Sequence, residues 1–97
     1  MSRPGFDVRT TPRFDRQLRS LHRRHPDLAE RFAAAVDILS VDPYNRSREH
    51  PIRKLESVRQ GEGQYRLRLG RWRFRYDIYR REVVLHYCGL RREDTYR

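Results

Sequence analysis

Arginines recur at every second position on both sides of a glycine in the C-terminal half of this 97-residue chain. Arg66 and Arg68 precede Gly70, and Arg73 and Arg75 follow it. A guanidinium presents a planar fork of N–H donors that matches the oxygens of a phosphate group. Four such groups on one surface would grip a phosphate chain, so the spacing indicates a nucleic-acid interface.

The charge distribution supports this interpretation. The formal net charge is +10, and residues 1–45 hold 8 basic and 6 acidic side chains, whereas residues 46–97 hold 15 basic and 7 acidic ones. GC-rich codon usage would explain why Lys54 is the only lysine, but it would not concentrate the charge in one half. The excess favours a polyanionic partner.

A period-two alternation of apolar and charged residues predicts three antiparallel strands around positions 65–69, 72–78 and 83–87. Gly70-Arg71 is predicted to be a two-residue hairpin loop. In that register three apolar pairs share the core face: Leu69–Trp72, Leu67–Phe74 and Tyr65–Tyr76. The open face then brings Arg68 opposite Arg73 and Arg66 opposite Arg75. Directly opposed like charges destabilise a sheet, which favours a functional reason for them.

The last predicted strand continues the same alternation. Val83, Leu85 and Tyr87 are expected to face the core, which would leave His86 on the open face. Trp72 is interpreted as core packing rather than as a platform for base stacking.

The N-terminal half contains a strand at 5–10 and two helices. Thr11 and Pro12 form a start signal for the first helix, which ends before His25-Pro26. The second helix runs from about Pro26 to Asp42, and a polar segment with a short apolar element at Ile52 and Leu55 follows. The chain is therefore predicted to be one α+β domain (1–97) of order βααβββ, with a helical hairpin packed on one face of the sheet.

The sequence also bears on disulfides, metal sites and membrane or secreted locations. Cys88 is the only cysteine, so neither an internal disulfide nor a cysteine-based zinc site is expected, and we expect no metal or other cofactor. Cys88 itself is expected to be buried or half-buried. The sequence shows no apolar run of membrane-spanning length and no secretory signal, so we expect a cytoplasmic protein without membrane association.

The segment from Tyr65 to Tyr76 resembles the central hairpin of the RelE/ParE toxin superfamily, whose members carry a Y-[KR]-x-[KR]-x…YR-x-x-Y pattern. The N-terminal T-x-x-F-x-[KR]-x-L, the helix ending in Asp-Pro, the Lys54-Leu55 pair and the terminal R-R-x-D-x-Y extend the resemblance over most of the chain. It implies a toxin of a type II toxin–antitoxin pair. RelE-like members cut mRNA in the ribosomal A site without a metal ion, whereas ParE-like members poison DNA gyrase.

The resemblance also implies roles for particular residues. Arg66 and Arg68 match the basic residues of the RelE strand, and Arg73 matches the arginine that contacts the scissile phosphate. Tyr96 matches the terminal tyrosine. For the C-terminal general acid, spacing back from Tyr96 favours Arg92 and spacing forward from Gly89 favours Arg91. The expected catalytic residues are Arg66, Arg68, Arg73, Arg92 and Tyr96, and the expected RNA-binding residues are Lys54, Arg75, His86 and Arg91.

The general base has no clear candidate. RelE has a lysine where this chain has Arg68, and a guanidinium does not lose its proton in a protein. The nearby alternatives are Glu49, His50, Glu56 and His86. Two functions therefore stay open: a ribosome-dependent mRNA endoribonuclease, or a gyrase poison or attenuated toxin that only binds. The expected partners are mRNA in the ribosomal A site, ribosomal RNA and an acidic cognate antitoxin.

Overall fold

A computed structural model describes residues 5–90. Two helices pack against one face of a five-stranded sheet, which confirms the predicted α+β class. The elements are β1 (Asp7–Thr10), α1 (Pro12–Arg24), α2 (Leu28–Val41), β2 (Ile52–Lys54), β3 (Tyr65–Leu69), β4 (Trp72–Tyr79) and β5 (Glu82–Leu90).

The strand order in the sheet is β1-β5-β4-β3-β2. β1 runs parallel to β5, and every other neighbouring pair is antiparallel. β2 is an edge strand at the place where the sequence predicted only a short apolar element, so the antiparallel part of the sheet has four strands. Three residues are too few for an alternation of their own, and it is the pairing of Ile52 with Leu67 that makes this segment a strand.

The predicted register of the β3–β4 hairpin is confirmed at all five positions, from Tyr65 opposite Tyr76 to Leu69 opposite Trp72. Gly70 has a φ of +63°, in the left-handed region that glycine tolerates best. A two-residue loop leaves no freedom to shift the strands, and a shift of one residue would expose the whole apolar set. Local chemistry is therefore sufficient to determine this part of the fold.

The start of α1 also follows the sequence signal. The Thr11 hydroxyl accepts the backbone N–H of Phe14 at 3.0 Å, and Pro12 is the first helical residue. α2 ends at Val41, directly before Asp42-Pro43. The helices and the sheet share one core, which includes Phe14, Leu28, Ala35, Leu39, Leu67, Trp72, Phe74, Tyr76, Ile78, Val83, Leu85 and Cys88.

A β-bulge interrupts the pairing of β4 with β5. Arg75 pairs with Tyr87 and Tyr76 pairs with Leu85, so His86 is the extra residue. The bulge reverses the alternation of β5, and Tyr87 therefore shares a face with Arg75 while Cys88 enters the core opposite Phe74. The prediction that Tyr87 faces the core with Val83 and Leu85 is wrong, whereas the expected burial of Cys88 and Trp72 is confirmed.

Neither α1 nor α2, the helices found within residues 5–90, is long and apolar enough to cross a membrane.

Candidate nucleic-acid interface

The sheet face that points away from the helices carries five arginines, which we call the arginine face: Arg53, Arg66, Arg68, Arg73 and Arg75. Arg68 lies opposite Arg73, and Arg66 lies between Arg53 and Arg75. The four arginines of β3 and β4 are half-buried, whereas Arg53 on the edge strand is exposed. The register of the β3–β4 hairpin thus collects Arg66, Arg68, Arg73 and Arg75 on one surface, as the sequence predicted.

Arg53 was not among the residues selected from the sequence. Its place follows from the pairing of β2 with β3, which puts Arg53 beside Arg66 and puts Lys54 beside Tyr65. The Lys54 ammonium lies 5.7 Å from the centroid of the Tyr65 ring. Lys54, which the resemblance placed among the RNA-binding residues, therefore lies on the other side of the sheet from the arginine face. The pattern of β2 would have identified Arg53 if the strand had been recognised.

The tip of the hairpin is attached to the turn between the helices. The Asp27 carboxylate accepts the indole N–H of Trp72 at 2.9 Å and a guanidinium N–H of Arg71 at 3.2 Å. The bond from Trp72, more than the neighbouring charge of Arg71, holds the pKa of Asp27 below its ordinary value. These contacts fix the hairpin against the helical layer, so the opposed arginines project from a supported surface.

Arg75 is used within the fold. Its Nε donates to the carbonyl oxygen of Gly63 at 3.1 Å, and its Nη2 donates to the carbonyl oxygens of Glu62 and Gly63 at 3.0 Å each. These bonds hold the loop between β2 and β3 (residues 55–64, here the β2–β3 loop) against the sheet. Arg75 lies on the arginine face as expected, but its guanidinium is directed to this loop.

The Asp77 carboxylate also holds the β2–β3 loop against the sheet. The side chain is fully buried, and its carboxylate accepts the backbone N–H groups of Gly61, Gly63 and Gln64 at 2.8, 2.9 and 2.9 Å. Three donors compensate for the removal of the charge from water. The sequence analysis did not single out Asp77 as a site residue. The signal in the sequence was a single acidic residue within β4, a strand rich in arginine, together with Gly61 and Gly63 in the preceding loop.

His86 lies against Asp77. Its Nε2 is 2.9 Å from Oδ2 of the carboxylate, a contact that becomes an ion pair when the imidazole is protonated. The Nε2 atom is buried and has no partner in hydrogen-bond geometry, whereas the His86 side chain as a whole is 23% exposed and reaches solvent. Because Asp77 belongs to the face of β4 that also carries Arg73 and Arg75, the bulge places His86 beside the arginine face.

The other candidates for a general base are placed differently. His50 lies in the loop after α2, with its Nε2 3.9 Å from Oδ2 of Asp42, and Glu49 and Glu56 are exposed. Burial raises the pKa of the Cys88 thiol to about 12, so this residue is not suited to nucleophilic chemistry. Arg91, Arg92 and Tyr96 lie outside the described residues. Residues 5–90 contain no group of three or more His, Cys, Asp or Glu side chains that could hold a metal ion.

The fold and the arginine face together define a small basic α+β domain whose open sheet surface suits a phosphate-bearing ligand. A comparison with solved structures matches the chain to the crystal structure of an archaeal RelE–RelB complex from Pyrococcus horikoshii, with a TM-score of 0.64 and 25% sequence identity. The match covers 89% of this chain and 94% of the other. No protein-family model matches, and no curated protein matches. The structural match confirms the resemblance to the RelE/ParE toxin superfamily: the chain has a RelE-like fold.

Proposed function

We propose that this chain is the toxin of a type II toxin–antitoxin pair and acts as a RelE-like endoribonuclease on mRNA in the ribosomal A site, in the cytoplasm. The observation that carries the proposal is the arginine face itself, in which Arg68 lies opposite Arg73 and next to Arg66 in a RelE-like fold. Directly opposed cations cost stability. A bound phosphate chain would offset that cost, and this gives the arrangement a function.

The proposed reaction is attack of a ribose 2′-hydroxyl on the adjacent phosphorus. The 2′-oxygen bonds to phosphorus, the bond to the 5′-oxygen breaks, and the departing oxygen takes up a proton. Arg73 with Arg66 and Arg68 would bind the non-bridging oxygens and stabilise the charge that develops on them. The resemblance assigns the general acid for the departing oxygen to Arg92 or Arg91, and it matches Tyr96 to the terminal tyrosine of the family.

The base in this scheme must accept the 2′-hydroxyl proton, which Arg68 is unable to do because its guanidinium stays charged. Among the described residues, His86 has the surroundings that suit this role. The buried Asp77 carboxylate lies 2.9 Å from Nε2 and would orient the ring, so that the other ring nitrogen could accept the proton. The ribosome would supply the remaining rate enhancement by positioning the message.

The proposed partners, an antitoxin and RNA, would both bind the arginine face. The solved neighbour is a RelE–RelB complex, which supports an antitoxin partner for this chain. An acidic antitoxin segment would complement the excess of 15 basic over 7 acidic residues in positions 46–97. Ribosomal RNA and mRNA present the same polyanionic chemistry, so antitoxin and RNA would compete for the arginine face.

The test is addition of the purified chain to a translating extract, followed by primer extension on the message. We expect cuts at codon boundaries that require ribosomes and disappear with Arg73→Ala. Arg19→Ala, which removes an exposed cation from α1, is the matched control and should leave cleavage intact. Intact message together with linear DNA in the presence of gyrase would contradict the proposal and favour a ParE-like poison.

A further inference from the structure

Tyr87 enters the arginine face because of the bulge at His86. Its cross-strand partner is Arg75, and a row of side chains therefore runs across four strands, in the order Arg53, Arg66, Arg75 and Tyr87. The Tyr87 side chain is half-buried. A phenol thus ends a row that is otherwise made of guanidiniums.

The ring of Tyr87 leans along β5 over Gly89. A β-carbon built on Gly89 would collide with the Tyr87 hydroxyl and would lie 2.8 Å from Cζ of the ring. Gly89 is the residue paired with Arg73. The position beside Arg73, where a side chain from residue 89 would normally stand, is therefore taken by the hydroxyl of Tyr87.

We propose that Tyr87 is a further substrate-contacting residue, whose hydroxyl donates a hydrogen bond to an oxygen of the phosphate bound by Arg73. This inference rests on the proposed nuclease function and deepens it. The contact is separate from Tyr96, because Tyr87 is part of β5 and its position is set by the bulge and by Gly89. A neutral donor beside cations adds a directed bond to a phosphate oxygen, and the bond strengthens as that oxygen gains charge in the transition state.

Two substitutions separate the hydroxyl from the ring. Tyr87→Phe keeps the ring and removes the donor, and we expect the single-turnover cleavage rate on programmed ribosomes to fall about a hundredfold with little change in the apparent affinity. Gly89→Ala keeps the hydroxyl but displaces it, since φ of Gly89 lies outside the left-handed region and the new methyl group forces the flexible ring to move. We expect a loss of similar size. Tyr79→Phe, at an exposed position at the end of β4, is the matched control.

A binding measurement makes the inference independent of turnover. With ¹³C-labelled tyrosine, saturation with a 2′-O-methylated single-stranded RNA should shift the Cζ resonance of Tyr87, assigned by its absence in Tyr87→Phe, and should leave that of Tyr79 in place. Full cleavage by Tyr87→Phe, or an unmoved Tyr87 resonance at saturating RNA, would overturn the inference. Wild-type protein that leaves the message intact would overturn the proposed nuclease instead, and the resonance of Tyr87 would still decide whether its hydroxyl contacts phosphate.

Discussion

Arg53 and Lys54 are neighbours in the edge strand β2, yet they lie on opposite faces of the sheet. Arg53 is in register with Arg66 on the arginine face, whereas Lys54 is in register with Tyr65 and its ammonium lies over that ring. Two cations of equal charge, one residue apart, therefore offer a test of which face binds RNA.

We expect Arg53→Gln to weaken binding of a 2′-O-methylated single-stranded RNA and to reduce the slope of log K against log salt by about 0.7, the value for one phosphate contact on a single strand. Lys54→Gln should leave that slope unchanged, because the Lys54 ammonium lies on the face of the sheet opposite the proposed RNA site. Fluorescence anisotropy at several salt concentrations measures both. Equal slopes for the two variants would show that binding depends on total charge and not on the arginine face.

The buried carboxylate of Asp77 predicts a large stability effect. Asp77→Ala would leave the N–H groups of Gly61, Gly63 and Gln64 without their acceptor. We expect a loss of about 3 kcal/mol in the free energy of unfolding, measured by urea denaturation. Asp37→Ala, an exposed acid on α2, is the control and should change stability by less than about 0.5 kcal/mol. A small effect of Asp77→Ala would mean that the β2–β3 loop is not held by this residue.

Asp42 predicts a dependence of stability on pH. The hydroxyl of Ser47, which donates to the carboxylate at 2.6 Å, and the backbone N–H groups of Arg46 and Ser47 hold the pKa of Asp42 below its ordinary value of 3.8. Because the folded pKa is the lower one, the stabilisation is complete above the ordinary pKa and disappears as the pH falls through the folded pKa. Asp42→Asn should therefore lower the urea midpoint near neutral pH.

The difference between wild type and Asp42→Asn should shrink as the pH falls below 3.8 and through the lower pKa of folded Asp42, because protonation makes residue 42 neutral in both proteins. Urea unfolding at a series of pH values tests this, and Asp37→Asn serves as the control. A difference between wild type and Asp42→Asn that stays constant down to low pH would contradict the assignment.

Cys88 predicts a slow thiol reaction. With a pKa of about 12 in the folded chain against an ordinary 9.0, the thiolate fraction at a pH well below both values is about a thousandfold lower in the native state. Labelling with a thiol reagent should accordingly be about a thousandfold slower for the native protein than for the urea-unfolded chain. Comparable rates in the two states would indicate that the end of β5 opens readily.

Much of the site followed from local chemistry. The Gly70-Arg71 loop and the alternation around it determine which arginines oppose each other, because a two-residue loop defines the register of both strands. The start of α1 at Pro12 followed for a similar reason, since the Thr11 cap acts within one turn. This one hairpin brings Arg66, Arg68 and Arg73 together, so the proposed roles of the three residues depend on it.

The predictions that were wrong or missing depend on contacts between residues that are distant in the sequence. The expected place of Tyr87 was wrong because the pattern around His86 looks the same with or without a bulge, and only the fit of β5 to β4 decides between the two. Arg53 was overlooked because β2 becomes a strand through its pairing with β3. The use of Arg75 and Asp77 by the β2–β3 loop depends on residues 12 to 16 positions away, which no local pattern describes.

The amino-acid sequence by itself determined the α+β class, the helix that starts at Pro12 and the opposed arginine pairs, because helix caps, a two-residue turn and period-two alternation act over a few residues. Only the tertiary structure decided three further features. Tyr87 lies on the arginine face, Lys54 lies on the opposite face of the sheet, and Asp77 is buried beneath the β2–β3 loop. Those outcomes depend on how distant segments pair and pack, and the free energies that select them come from contacts between strands and not from the segments alone.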